Sequence, residues 1–186
     1  MQTRNRKKEL IFFLLSFFIF NLNLSAEEFN ITAEEILVDK ENEIIVGKGS
    51  VQAVDTEGKL INANKITYEK SREFLLAEGE VKIADIEGNI LITDRATYDK
   101  INELIITYNK TELILKEGYK LLTKNISYNT EKKILTSDYR SIFTDNDGNV
   151  IETDMFQYNI EDNLFSSIGK IKITDIKKNK YFFKEI

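Results

Sequence analysis

The stretch Leu75-Leu-Ala-Glu-Gly-Glu-Val-Lys-Ile-Ala-Asp85 decides how the chain folds. Its odd positions read Leu75, Ala77, Gly79, Val81, Ile83 and Asp85, with Glu78, Glu80 and Lys82 between them. A period of two with one wet face describes a half-buried β-strand. The closing segment, Asp85-Ile-Glu-Gly88, puts Asp first and Gly last, as a type I turn prefers. The layout returns late in the chain, where Phe165, Gly169, Ile171 and Ile173 face one way and Lys170 and Lys172 the other.

Outward from that strand the pattern recurs every 30 residues, and such a period is the mark of a repeat architecture. Tyr68, Tyr98, Tyr128 and Tyr158 form one column, with Val38 in the same phase. Gly58, Gly88, Gly118 and Gly148 form a second, each preceded by an acid. Asp55, Asp85, Asp145 and Asp175 form a third, broken by Leu115. Gly49, Gly79 and Gly169 share a phase in which Asn109 and Tyr139 replace glycine. Five units run from about residue 29 to 180, and a sixth opens with Tyr181-Phe182-Phe183. In the first strand of a unit, Ile61 and Ala63 share a face and then Ile66 and Tyr68 do, so a bulge must reconcile the two phases. After residue 28 no stretch keeps a 3.6 period. The expected fold is all-β: an open, folded antiparallel jelly-roll, or a solenoid-like sheet, built from five 30-residue repeats in one domain, residues 27–186.

Composition agrees. The 186 residues contain no Pro, which cannot donate to a sheet ladder. They contain no Cys and no His, which removes disulfides, thiolate metal sites, the Ser-His-Asp triad and most zinc sites. Neither a carboxylate dyad nor a Gly-rich phosphate loop stands out, so no enzyme, cofactor or metal is expected. A net charge of −5 disfavours nucleic acid. Residues 1–26 read as a signal peptide: Arg4, Arg6, Lys7 and Lys8, an apolar run from Leu10 to Phe20, and Leu24-Ser-Ala26 at the cleavage point. The alternative is an inner-membrane anchor over residues 10–24.

The columns admit functional and purely structural readings. The Tyr column reads as packed strand residues with hydroxyls at the rim, the Asp column as turn chemistry rather than a calcium ladder, and Gly49, Gly79 and Gly169 as bends. The apolar columns carry more. Ala53, Ile83, Leu113, Phe143 and Ile173 line one inner row and Ile45, Leu75, Ile105, Leu135 and Phe165 another, with Val51, Val81 and Ile171 beside them. These residues form either a dry core or a trough that takes acyl chains, each buried methylene contributing about 0.8 kcal/mol. The first segment, Phe29 to Val38, and the last, Lys180 to Ile186, are uncovered strand edges open to β-augmentation through Ile31, Ala33, Ile36, Tyr181 and Phe183.

Phe29-Asn-Ile-Thr-Ala33, Gly47-Lys-Gly-Ser-Val51, Ile61-Asn-Ala-Asn-Lys-Ile-Thr-Tyr68, Ala77-Glu-Gly-Glu-Val81 and Asp94-Arg-Ala-Thr-Tyr98 together resemble the OstA-like family. This family comprises periplasmic lipopolysaccharide-transport proteins and the N-terminal domain of the outer-membrane assembly protein. The resemblance is clearest over residues 29–98 and persists to about 175. Asn109 and Leu115 depart from the pattern in the third unit. What the resemblance implies is a β-jelly-roll open at both ends and along one side. It would carry lipid A chains inside and pair head to tail with other OstA-like domains, or with its own copies, in a periplasmic bridge. The cleavable leader fits the soluble bridge better than the anchored partner, which is of similar length. The competing class is a structural β-repeat scaffold or adhesin with a dry core and no lipid ligand.

Overall fold

The computed structural model describes residues 29–186; the expected signal peptide, residues 1–26, lies outside them. Every described strand pairs antiparallel, and all fifteen belong to one sheet. Five long strands stand side by side: β3 (Ile44–Asp55), β4 (Leu60–Glu69), β5 (Phe74–Ala84), β6 (Ile90–Asp99) and β7 (Leu104–Ile114). Short strands flank them in pairs, each pair standing where one long strand would. These pairs are β1 (Phe29–Thr32) with β2 (Glu35–Asp39), β8 (Lys120–Lys124) with β9 (Ser127–Asn129), β10 (Ile134–Ser137) with β11 (Ser141–Thr144), and β12 (Val150–Thr153) with β13 (Met155–Asn159). Then β14 (Leu164–Thr174) runs unbroken and β15 (Lys180–Glu185) ends the sheet. A single 3₁₀ turn, Lys70–Arg72, is the one departure from strand and turn among the described residues.

Each long strand bends at its middle, so the sheet folds along a crease into two walls. One wall runs β1–β3–β4–β5–β6–β7–β8–β11–β12–β14–β15. The other holds β2, the remaining halves of the long strands, β9, β10 and β13. The ladder shifts register at the crease, between Lys48 and Val51, Asn62 and Lys65, Glu78 and Val81, and Thr93 and Arg95. This is the bulge expected from Ile61, Ala63, Ile66 and Tyr68, all four of which point inward and are buried. Gly79 sits at the bend with φ +76° and Glu80 follows at +51°, a left-handed pair that glycine enters without cost. Asn109 takes the same place at φ +66°, a conformation Asn tolerates, so the third unit folds despite losing the glycine. Where Tyr139 replaces it, the strand stops at Ser137 and restarts at Ser141.

The crease is lined differently along its length. Ala63, Ala77 and Val81 fill it in the early units, and buried hydroxyls in the later ones. Thr107 Oγ1 accepts from Ile126 N–H at 2.9 Å, replacing the ladder bond lost between β8 and β9. Ser137 and Ser141 donate to the carbonyls of Lys124 and Tyr139, and Ser167 to that of Met155. No buried side-chain polar atom lacks a partner among the described residues.

Two families of turns form the two rims. On the first, Asp55 Oδ1 accepts from the N–H groups of Glu57 and Lys59, and Asp85, Asp145 and Asp175 cap their own turns likewise. This is the turn chemistry expected of the Asp column. Leu115 cannot cap, and its turn is held by Gly118 N–H donating to the Leu115 carbonyl. On the second rim, Glu43, Glu73, Glu103, Lys133 and Asn163 all adopt left-handed φ values. The carbonyls of the first four accept from the N–H groups of Lys70, Lys100, Thr130 and Ile160, so neighbouring turns are stitched together.

Candidate functional site: the groove between the walls

The inner faces of the two walls carry the apolar columns. Val51, Ala53, Leu75, Val81, Ile83, Ile105, Leu113, Leu135, Phe143 and Ile171 are buried, and Ile45, Phe165 and Ile173 half-buried. All thirteen therefore face the space between the walls. That space is filled differently in its two halves.

In the N-terminal half it is closely packed, with only a cleft of about 100 Å³ between the rims beside Lys59, Glu87 and Lys133. Phe29, on β1, is 2 % exposed and stands edge-on to Tyr68 and Tyr98, at 4.9 and 5.8 Å between ring centroids. Over these rings, charged side chains join the rims. Lys59 Nζ lies 3.1 Å from Asp55 Oδ2 and donates to the Tyr98 hydroxyl at 2.8 Å. Tyr98 in turn donates to Glu103 Oε2 at 2.9 Å. Lys100 Nζ bonds Glu57 at 2.7 Å and Glu103 as well, and Thr130 donates to Glu103. Asp55, Glu57 and Lys59 belong to the first rim, and Tyr98, Lys100, Glu103 and Thr130 to the second. Lys133 and Glu87 add a further crossing at 3.2 Å.

The electrostatics follow from this packing. Burial and the Glu103 carboxylate push the Tyr98 hydroxyl well above its ordinary range, so it stays a donor. Burial opposes the charge on Lys100, but its hydrogen bonds to Glu103 and Glu57 outweigh that and hold the ammonium charged. Burial also opposes ionisation of Glu103, yet Lys100, Thr130 and Tyr98 together keep its carboxyl below the usual value.

The C-terminal half is open. Tyr119, Phe143, Ile151, Tyr158, Phe165 and Ile173 line a cavity of about 340 Å³ that reaches solvent between the rims. Asp145, Asn149 and Asn163 stand at its edge. Phe143 bridges the walls, 5.9 Å from Tyr158 and 5.4 Å from Phe165, and Tyr119 stacks on it at 5.6 Å. Asp145 spends its carboxylate on its own turn through Asn149 Nδ2 and the N–H groups of Asp147 and Asn149. Among the described residues no hydrogen bond or ion pair joins the rims beyond Lys133.

Of the thirteen columnar residues, only Phe143, Phe165 and Ile173 line this cavity. The remainder belong to packed interior or to the crease. Ile151 also lines it, and an unused column of the sequence, Ile61, Leu91, Leu121 and Ile151, would have found it. Tyr158 belongs to the Tyr column and lines the slot as well as packing. Tyr119 had no apolar column to announce it, since Lys59, Asn89 and Asn149 share its phase.

Among the described residues both ends of the sheet lack a second neighbour: Ile31, Ala33 and Ile36 lie on β1, β2 and the link between them, bonded to β3 alone, and Tyr181 and Phe183 lie on β15, bonded to β14 alone. Tyr181 pairs with Ile173 and Phe183 with Ile171, so both aromatic rings continue the inner face, where they are nearly half exposed. Among the described residues no group of three acids could hold a metal ion, and no helix is long and apolar enough to cross a membrane.

No family model matches the chain, and no curated protein matches it. Among solved structures it is similar to the crystal structure of LptH, described as the LptA homologous periplasmic component of the conserved lipopolysaccharide transport device from Pseudomonas aeruginosa. The TM-score is 0.31 and the identity 12 %, over 75 % of this chain and 81 % of that one.

Proposed function

We propose that the chain is a non-enzymatic periplasmic lipid carrier, which shelters the acyl chains of lipopolysaccharide between its walls and passes them along a bridge of paired jelly-roll domains. The observation that carries this reading is the aromatic slot. An apolar interior that reaches solvent between two polar rims suits a molecule with fatty chains and a large hydrated head. No group capable of activated chemistry is needed, since burial of methylenes alone supplies the affinity.

The two edges support the assembly. The first carries Glu34, Glu35 and Asp39 against one cation, Lys40, and the last Lys177, Lys178, Lys180 and Lys184 against Asp175 and Glu185. Opposite charges favour the first edge of one domain against the last edge of the next, and like charges oppose the reverse pairings. Strand addition there would place Tyr181 and Phe183 against Ile31 and Ala33, making the interior continuous. The partner is a second copy or an OstA-like domain of a membrane protein.

The test is direct. Purified protein is mixed with lipopolysaccharide, or with lipopolysaccharide stripped of its acyl chains, and run on size exclusion with detection of bound sugar. Co-elution of the acylated form alone supports the carrier. Equal co-elution of both, or of neither, overturns it and favours a scaffold with a dry core.

A further inference from the structure

We propose that the lateral mouth is divided into a locked half and a loading half: the charged clasp over Tyr98 closes the first, and a single acyl chain seats in the slot between Phe143, Tyr158 and Phe165. This rests on the lipid-carrier reading above, and states where in the groove the chain lies and what excludes it from the rest.

The locked half has two barriers. Lys59, Tyr98, Glu103, Lys100 and Glu57 form a connected chain of hydrogen bonds from rim to rim. Beneath it Phe29 closes on Tyr68 and Tyr98, leaving the interior occupied by the protein's own rings. A lipid entering there would have to break buried charge pairs and displace a buried phenyl group.

The loading half has neither. Its cavity of about 340 Å³ stands at the lower end of the roughly 300–1,000 Å³ usual for small-ligand sites, room for one chain rather than several. Walls packed about 10 Å apart give it the shape of a slot, which an alkyl chain fits and a globular ligand does not. A peptide strand would need a long unpaired edge, but the floor strands β11, β12 and β13 are paired on both sides, and β14 lacks a second neighbour only over the three residues Leu164 to Ser166. The lining holds no cation: Asp145, Asn149 and Asn163 are its polar members. The head group next to the slot is therefore one that offers hydroxyl or amide groups, as a hydroxyacyl or amide-linked chain does, and not a phosphate. Toward β15 the slot continues past Ile173 onto Tyr181, which gives the chain a route to the next domain.

The experiment uses the full chain and a palmitamide with an N-hydroxyethyl head, carrying a diazirine on its tail. After photolysis, the modified peptides are mapped by mass spectrometry. Adducts are expected on peptides bearing Phe143, Tyr158 and Phe165, and not on those bearing Leu75, Tyr98 and Ile105. In Lys100→Met with Glu103→Gln, adducts are expected to spread to Tyr98 and Ile105. Ile151→Trp, which fills the slot and leaves the clasp intact, is expected to lower the adduct yield at least tenfold with an unchanged far-UV spectrum.

Adducts in both halves of the unaltered protein overturn the division while leaving the carrier reading standing. An intact fold with adducts still confined to the C-terminal half of the clasp variant removes the clasp as the barrier. No adduct anywhere, or adducts only on outward residues such as Lys82 and Lys172, overturns both the slot and the carrier.

Discussion

Lys100 Nζ lies 2.7 Å from Glu57 Oε1, joining two turns 43 residues apart on opposite rims of the fold. It is the outermost bond of the clasp, and the most expendable, because the Glu57 side chain is 60 % exposed. An ion pair so solvated contributes at most about 1 kcal/mol, and Glu57→Gln should cost no more than that. Asp55 is different: its side chain is fully buried against Lys59. Lys59→Met strands that carboxylate and should cost about 3–5 kcal/mol. Urea unfolding of the two variants measures both numbers. Equal losses would mean that burial does not rank the clasp's bonds.

The clasp should also respond to acid. Glu103 is held below its ordinary value near 4.5, so its contribution is present above that pH and is lost as the pH falls through the depressed value. Lys100 is held above its ordinary 10.5, so its contribution is present below that pH and fades only in stronger alkali. The clasp is therefore at full strength between about pH 5 and 10 and weakens below about pH 4.5. The unfolding midpoint, followed from pH 7 to 3, should fall less steeply in Glu103→Gln than in the unaltered protein. Parallel slopes would show that other carboxylates dominate the acid limb.

Much of this fold is legible before any coordinates. The Tyr, Asp and apolar columns identify strands, turns and inner face, because a 30-residue period repeats the same constraints five times. The change of phase between Ala63 and Ile66 even marks the crease. The clasp is not legible, because Lys59 and Tyr98 meet only after the sheet folds far enough to bring its rims together. Nor does a periodic pattern separate Ile105, packed under Tyr98, from Phe165, which lines an open slot. Both are apolar residues at equivalent positions, and the difference lies in Phe29 and the charges that close one end. The left-handed column Glu43, Glu73, Glu103, Lys133 and Asn163 escapes notice because its residue types vary, while what it conserves is a backbone angle.

The crease supplies a sharper test of local geometry. A Cβ on Gly79 would enter a left-handed conformation and approach Asn64 Nδ2 to 2.9 Å. Gly79→Ala should therefore cost about 1–2 kcal/mol in backbone strain alone. Asn109→Gly, at the equivalent bend, removes that strain and should be neutral or slightly stabilising despite the greater freedom of the unfolded chain. Thermal midpoints of the two variants should move in opposite senses or differ clearly. A shared destabilisation would mean that the asparagine side chain supports the bend.

The buried hydroxyls make a related prediction. Thr107 is fully buried, and its hydroxyl takes the Ile126 N–H where the ladder is broken. Thr107→Val keeps the shape and leaves that N–H without its acceptor, at a cost of about 1–3 kcal/mol. The effect should be local, so amide exchange at Ile126 should accelerate more than exchange at Ile66, its counterpart in the unbroken strand β4. Uniform acceleration across the sheet would instead assign Thr107 to global packing.

The edges carry the last prediction. If the first edge of one domain pairs with the last edge of another, an edge carrying Glu34, Glu35 and Asp39 faces one carrying Lys177, Lys178 and Lys180. Changing the three lysines to glutamate should abolish self-association or pairing with an OstA-like partner, and restoring opposite charge by making the three acids lysine should recover it. Both variants leave the interior untouched, so an unchanged far-UV spectrum is expected. Each surface pair alone is weak, on the order of 0.2–1 kcal/mol, but reversing three together turns attraction into repulsion along the whole strand. Sedimentation velocity at low and high salt separates the outcomes. Association that is lost on reversal, regained on the swap and weakened by salt fits polar head-to-tail pairing, whereas association indifferent to all three places the contact on another face.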